Sequence, residues 1–392
     1  MLNSPFSPWP SFSQAEADAV STVLLSNKVN YWTGQEGRNF EKEFATYTDC
    51  KYGVAVANGT LALDLALHAL EIGDGDEVIV TPRTFIASIS CVINAGAIPV
   101  FADVELESQN ISPETIAPVI TKKTKAIICV HLAGWPCEMD GIITLAKQHD
   151  LFVIEDCAQA HGAKYKGRSV GSIGDIGCWS FCQDKIMTTG GEGGMLTTNN
   201  EKLWRKAWAF KDHGKSYQAV YETEHPPGYR WLHESFGTNW RLTEMQSAIG
   251  RIQTARMPEW HQQRTRYAEQ ILTTCQKFSW LTVDKPNDDL THAYYKCYVQ
   301  IIPEELPEGW TRDHIISEIV EHGVPCFSGS CSEVYKEKAF DNTSLRPAKP
   351  LTNAQQLGKN SLMFLVHPTL SQQEIDQTCE VIMNIANKIN QM

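Results

Sequence analysis

The sequence has no apolar run of the ~18 or more residues needed to cross a bilayer. Its opening segment, MLNSPFSPWPSFS, lacks both the positive charge and the apolar core of a secretory signal. The chain is therefore expected to be neither exported nor inserted in a membrane. Surplus positive charge is missing too: 34 Lys and Arg stand against 46 Asp and Glu, a net charge of −12. That balance argues against a nucleic-acid partner, although a few local donors would suffice for a phosphate-bearing small ligand. No Cys-x-x-Cys pair occurs among the twelve cysteines, and the nearest pairs, Cys178/Cys182 and Cys326/Cys331, do not have zinc-knuckle spacing. Cys91, Cys129 and Cys157 stand inside apolar runs, where a thiol behaves as a small hydrophobe. All twelve are expected to be reduced, with no bound metal, which is a cytoplasmic pattern. Internal repeats and low-complexity segments are absent as well.

What is present is an ordinary globular composition, 42% hydrophobic and 20% charged over 392 residues. That length suits two domains and a large core without staples. From 50 to 200, short apolar runs alternate with helical patterns. The runs predict strands at 53–57, 76–81, 98–102, 125–131, 151–155, 177–181 and 194–198, with helices over 59–70, 84–94 and 138–149. Continuous apolar strands separated by helices predict an α/β fold, with a mostly parallel central sheet and helices on both faces. Residues 200–240 are polar and aromatic with little periodicity, and read as a long functional or interfacial excursion. A helix is predicted from Thr243 to about Gln253 and a second after Pro258, where proline suits a first turn. The expected division is a large α/β domain over 1–255 and a smaller C-terminal α+β domain over 256–392, with short strands near 292–301 and 362–366.

Three motifs carry chemistry. In S180-F-C-Q-D-K-I-M-T-T-G-G-E-G-G194 a strand delivers Ser180, and Lys185 follows before a glycine-rich bend. A desolvated lysine there becomes the nucleophile that Schiff-base formation with an aldehyde needs; the bland alternative is a surface turn. In E155-D-C-A-Q-A-H161 an apolar strand ends in two carboxylates, which places Asp156 outside the carboxyl edge of an open sheet, where ligands bind. Such a carboxylate can hold an aromatic ring nitrogen protonated, with Gln159 bonding a ring hydroxyl; the alternative is a helix cap. In V56-A-N-G-T-L-A-L63 a strand passes into an apolar helix through Asn58, Gly59 and Thr60, whose free N–H groups suit a phosphate. Ordinary turn chemistry is the rival reading there. In this order the three make one machine: phosphate cup, ring-nitrogen partner and aldehyde-binding lysine.

The blocks NGTLAL, TPRTFIAS, VHLAGWPCEMDGI, EDCAQAHGA, GDIGCWSFCQDK…TTGGEGG and GTNWRLTEMQSAIG resemble, in order, the DegT/StrS-type nucleotide-sugar aminotransferases. The likeness is dense from 8 to about 255 and looser beyond. It implies the fold-type-I architecture and pyridoxal 5′-phosphate (PLP) as cofactor. Lys185 would form the Schiff base and shuttle the proton, Asp156 would pair with the ring nitrogen, and Gln159 would contact the ring. Gly59, Thr60 and Ser180 would bind the phosphate, and Phe85 would stack on the ring. Asn239 would reach the phosphate of a neighbouring subunit, which implies a homodimer with shared sites. Glutamate would be the amino donor, and a UDP-linked 4-keto-6-deoxy-N-acetylhexosamine the acceptor, in surface glycan biosynthesis. A nucleotide-sugar dehydratase and an inactive regulatory relative are the alternatives. Retention of Lys185 argues against the first, and the complete residue set against the second.

Two departures stand out. Asn58 replaces a common serine, and Cys182-Gln183-Asp184 stand where His-Pro-Thr often precedes the lysine. His213, Tyr229 and Arg230, in the long excursion, are candidates for substrate contact because arginine suits phosphate recognition. Arg241 reads as a helix-start or interface residue. His131 and His161 read as satisfied structural histidines, the tryptophans as core and interface packing, and the 326–335 loop as facing the substrate.

Overall fold

The computed structural model describes residues 6–391. A seven-stranded sheet forms its centre, in the order Tyr52–Val56, Gly194–Thr198, Ile176–Ser180, Phe152–Asp156, Thr124–Val130, Glu77–Val80, Ile98–Phe101. Gly194–Thr198 runs antiparallel to both of its neighbours, and the other pairings are parallel. Each observed strand lies within about one residue of the predicted run. Alternate residues of one strand enter different cores. Val78, Val80, Ala126, Ile128 and Ile154 pack on one side, and Ile79, Ile127, Cys129 and Val153 on the other. With a side-chain period of two, that is a sheet buried on both faces, which is why its strands read as unbroken apolar runs.

Helices Gly59–Ala69, Ala87–Asn94 and Met139–His149 connect the parallel strands as predicted, the second starting three residues late. The 200–240 stretch is more ordered than expected: it contains helices Glu201–Lys211 and Tyr217–Tyr221. The first buries Leu203, Ala207, Trp208 and Lys211 and is capped by Asn200. A lysine on the buried face, held by Glu41 at 3.3 Å, disguised its apolar stripe.

The predicted break at Pro258 is also corrected, because one helix runs from Glu244 to Cys275 with Pro258 inside it. An interior proline removes one backbone donor. Packing against helices Gln14–Leu25, Glu36–Tyr47 and Gln372–Asn390 holds the helix together across that gap. The division expected at 255/256 falls inside this helix. Beyond it, a four-stranded antiparallel sheet orders Leu281–Thr282, Cys297–Ile301, Ser361–Phe364 and Cys326–Phe327. Its core extends to Ile389 and takes in Phe6 from the other end of the chain. No helix among the described residues is long and apolar enough to cross a membrane.

Candidate active site

Six strands deliver their carboxyl ends to one edge of the central sheet, where a cavity of about 930 Å³ opens. Asn58, Gly59, Thr60, Phe85, Asp156, Gln159, Ser180 and Lys185 all line it. The helix behind Gly59 is capped by Asn58, whose side chain accepts from the Leu61 N–H at 3.0 Å. Asn58 thus serves the helix, and the first-turn N–H groups of Gly59 and Thr60 remain for an anion. A Cβ on Gly59 would lie 2.5 Å from Ser180 Cβ, and one on Gly194 would lie 2.3 Å from the Asn58 carbonyl oxygen. Two glycines therefore let three chain segments close into one cup.

Asp156 sits buried at the end of its strand. Its Oδ2 accepts from Ser88 Oγ at 2.8 Å and its Oδ1 from the Ala158 N–H at 3.1 Å. Ser88 Oγ is itself 2.9 Å from Thr84 Oγ1. Burial raises the Asp156 pKa overall, while the two hydrogen bonds and the charge of Lys185 favour the carboxylate. Gln159 is fixed by its Oε1, which accepts from the Ala133 N–H at 2.8 Å, leaving its NH₂ for the cavity. Ala133 has a φ of 55°, uncommon for a residue with a side chain. Its carbonyl accepts from the Tyr295 N–H at 2.9 Å. One strained turn thus ties Gln159 to the segment leading into strand Cys297–Ile301.

Lys185 is anchored by its backbone. Its N–H donates to the Cys182 carbonyl at 3.1 Å and its carbonyl accepts from Trp9 Nε1 at 2.8 Å. Its Nζ lies 5.4 Å from the centroid of the Tyr295 ring. The Tyr295 hydroxyl donates to Asp184 Oδ2 at 2.6 Å, so the unusual Asp184 forms a clamp between the lysine loop and the C-terminal region. The bond to Tyr295 and the nearby charges of Lys185 and Lys296 outweigh burial and lower the Asp184 pKa. Ser88, Trp9, Asp184 and Tyr295 were not foreseen as functional. Ser88 belongs to the TPRTFIAS block and Asp184 to the odd Cys182-Gln183-Asp184 stretch beside the lysine, whereas Trp9 and Tyr295 come from distant segments with no local signal.

The remaining candidates divide. Phe85 is 70% exposed and offers its ring to the cavity. Ser328, Gly329, Ser330 and Cys331 also line it, so the 326–335 loop does face the site. Asn239, His213, Tyr229 and Arg230 lie outside the cavity of their own chain and are exposed. Arg241 pairs with buried Asp212 at 2.7 Å.

His131 is satisfied as expected: its Nε2 meets Glu155 Oε2 at 3.0 Å and its Nδ1 accepts from the Cys137 N–H at 3.0 Å. His161 is not. Its ring nitrogens make no well-formed hydrogen bond, the Ser180 backbone alone lying near enough to favour the charged form, and burial, with the Lys185 and Arg264 charges adding to it, lowers its pKa to about 3.

The sequence profile of the DegT/DnrJ/EryC1/StrS aminotransferase family matches residues 10–383. The chain is 36% identical to GDP-perosamine synthase of Escherichia coli O157:H7, over 95% of this chain and 96% of that protein. It is 44% identical to UDP-N-acetyl-3-dehydro-alpha-D-glucosamine 3-aminotransferase of Acidithiobacillus ferrooxidans, over 91% of this chain and 90% of that one. The solved aminotransferase from Psychrobacter cryohalolentis superposes with a TM-score of 0.97 at 67% identity, covering 98% of this chain and 100% of its own.

Proposed function

Because the chain belongs to the DegT/DnrJ/EryC1/StrS aminotransferase family, we propose that it moves an amino group from glutamate to a keto carbon of a UDP-linked N-acetylhexosamine. The enzyme is a PLP-dependent sugar aminotransferase. The observation that carries the reading is the convergence of an anion cup, a buried carboxylate and a lysine on one cavity. The residues fit the cofactor: Gly59 keeps the cup open beside Ser180, Asp156 offers a ring nitrogen a buried acceptor, and Lys185 offers an aldehyde an amine.

When bound, PLP supplies the aldehyde and the electron-withdrawing ring that stabilises negative charge on the reacting carbon. Gly59 and Thr60 N–H groups and the Ser180 hydroxyl would hold the phosphate. Asp156, steered by Ser88 and Ala158, would keep a proton on the ring nitrogen, and Gln159 would donate to the ring hydroxyl. Phe85 would cover the ring. Lys185 Nζ would hold the cofactor's aldehyde and would serve as the group that moves a proton at the substrate carbon.

The same reading makes the enzyme a cytoplasmic homodimer, with twelve free thiols and with the partner subunit's Asn239 completing the phosphate site. Support comes from Tyr229, Trp231 and Phe236, which are 75%, 84% and 98% exposed near Asn239 in the chain, since such apolar surface marks an interface. His213, Tyr229 and Arg230 would meet substrate only across that interface. The reading also keeps two domains, 1–255 and 256–392, joined through the helix Glu244–Cys275.

The 4-keto-6-deoxy sugar is our preferred acceptor, in the biosynthesis of a surface glycan. A 3-keto acceptor is the second reading, favoured by the name of the 44% identical relative. Purified enzyme should show a cofactor absorbance band, and Lys185→Ala should lose it together with roughly a thousandfold of activity. Incubation with glutamate and a panel of keto sugars, read by product mass and NMR, separates the acceptors. Loss of water in place of gain of an amine would sink the reading in favour of dehydration.

A further inference from the structure

Among the described residues, two lysines and no arginine line the catalytic cavity: Lys185 and Lys296. The mechanism above uses only the first. Lys296 is half-buried, and its close contact among the described residues is the face of Tyr295, 4.8 Å from its Nζ. Behind it stands Arg264, fully buried. Its Nη1 donates to the Tyr294 and Tyr295 carbonyls at 3.3 and 3.5 Å, and its Nε has no partner. Neither cation is in an ion pair with a carboxylate. The nearest acid, Asp184, already accepts from Tyr295, and Asp156 from Ser88 and Ala158. Asp184 keeps its negative charge while it accepts from Tyr295, so this end of the cavity sets Lys185, Lys296 and the buried Arg264 around one carboxylate, a local surplus of positive charge in a chain of net charge −12. Burial lowers the Lys296 pKa to about 8, which keeps the side chain cationic at neutral pH.

The separation of the two lysines suits a dicarboxylic anion. The two ammonium nitrogens lie 5.4 and 4.8 Å from the same ring centroid, and so within about 10 Å of each other. An extended glutamate spans roughly 5–6 Å from amine to side-chain carboxylate, and one charge-assisted hydrogen bond adds ~2.8 Å. That reach of ~8–9 Å falls within the separations the shared ring allows, so a donor whose amine replaces Lys185 at the reacting carbon points its far carboxylate toward Lys296. We propose that Lys296 recognises the side-chain carboxylate of a dicarboxylic amino donor and so selects glutamate over neutral amino acids. This rests on the transamination reading given above.

The test uses the cofactor-loaded enzyme and follows, by absorbance, its conversion to the amine form with glutamate or with glutamine, then measures KM for the keto sugar separately. Lys296→Met should lower kcat/KM for glutamate about ten- to hundredfold, chiefly through KM. It should leave glutamine and the sugar KM within about threefold of wild type, well below the tenfold that one charge-assisted bond is worth. Lys296→Arg should restore most of the glutamate rate. Equal losses for both amino acids would overturn the proposal, as would an unchanged glutamate KM. A rise confined to the sugar KM would overturn it too, and would assign Lys296 to an acidic group of the sugar nucleotide. Wild-type enzyme inert to glutamate but converted by glutamine would overturn the donor assignment itself, a failure distinct from that of Lys296.

Discussion

Phe44, Trp179 and Phe181 surround the ring of His161, and an imidazole so fully buried stays neutral. Its pKa in the fold is about 3, against about 6.5 in an unfolded chain. As pH falls below 6.5 the unfolded state gains a proton that the folded state refuses until pH ~3. Stability is therefore complete above 6.5 and is lost across that window, at up to ~1.4 kcal/mol per pH unit. His161→Phe should flatten the acid limb. The thermal midpoint should fall less between pH 7.5 and pH 5 than in wild type, and an identical fall in both would refute the account. His131 directly follows its strand, where His161 lies five residues beyond its own, and both nitrogens of His131 are satisfied; Glu155 opposite also accepts from the N–H groups of Gly171, Ile173 and Gly174. The two histidines look alike in sequence because nothing local reports which neighbours a ring will meet.

The helix Gly59–Ala69 shows how an element can position a site. Its cap satisfies Leu61 N–H and leaves the first two donors to the cavity. Gly59→Ala would bring a methyl carbon to 2.5 Å of Ser180 Cβ, a distance that forces strand end and helix apart. Cofactor affinity should fall about tenfold or more through loss of a charge-assisted hydrogen bond, with the circular dichroism spectrum unchanged. Titration of the cofactor band against added PLP measures it, and wild-type affinity would show that the cup tolerates the methyl. This element was legible, since Asn-Gly-Thr before an apolar run carries both cap and close approach in the local chain. The helix through Pro258 was not. A proline argues locally for a break, and only packing along both halves of the helix overrides it.

At the scale of the whole molecule, the placement of Asn239 outside its own cavity makes a shared site testable. Lys185→Ala and Asn239→Ala chains should each be impaired alone. Unfolded and refolded together, they should regain up to about a quarter of the wild-type rate, because half of the dimers are mixed and each mixed dimer holds one intact site. No recovery over the separate variants would place Asn239 outside the neighbouring site. The two ends of the chain also meet: Ser7 Oγ donates to Glu374 at 3.0 Å, and Trp9 stacks on His367 while holding the Lys185 carbonyl.

By itself the sequence determined the α/β sheet, to within a residue at most strand ends, and the three motifs that form the cofactor cavity. Those properties are local: strand periodicity, turn chemistry and a lysine beyond a buried strand are written in contiguous residues. Tertiary structure alone decided that Asp184 would be held by Tyr295, that Trp9 would anchor the lysine loop, and that Lys296 would stand within about 10 Å of Lys185. These partners are separated by more than a hundred residues, and no local preference encodes a contact that exists only once the chain has packed.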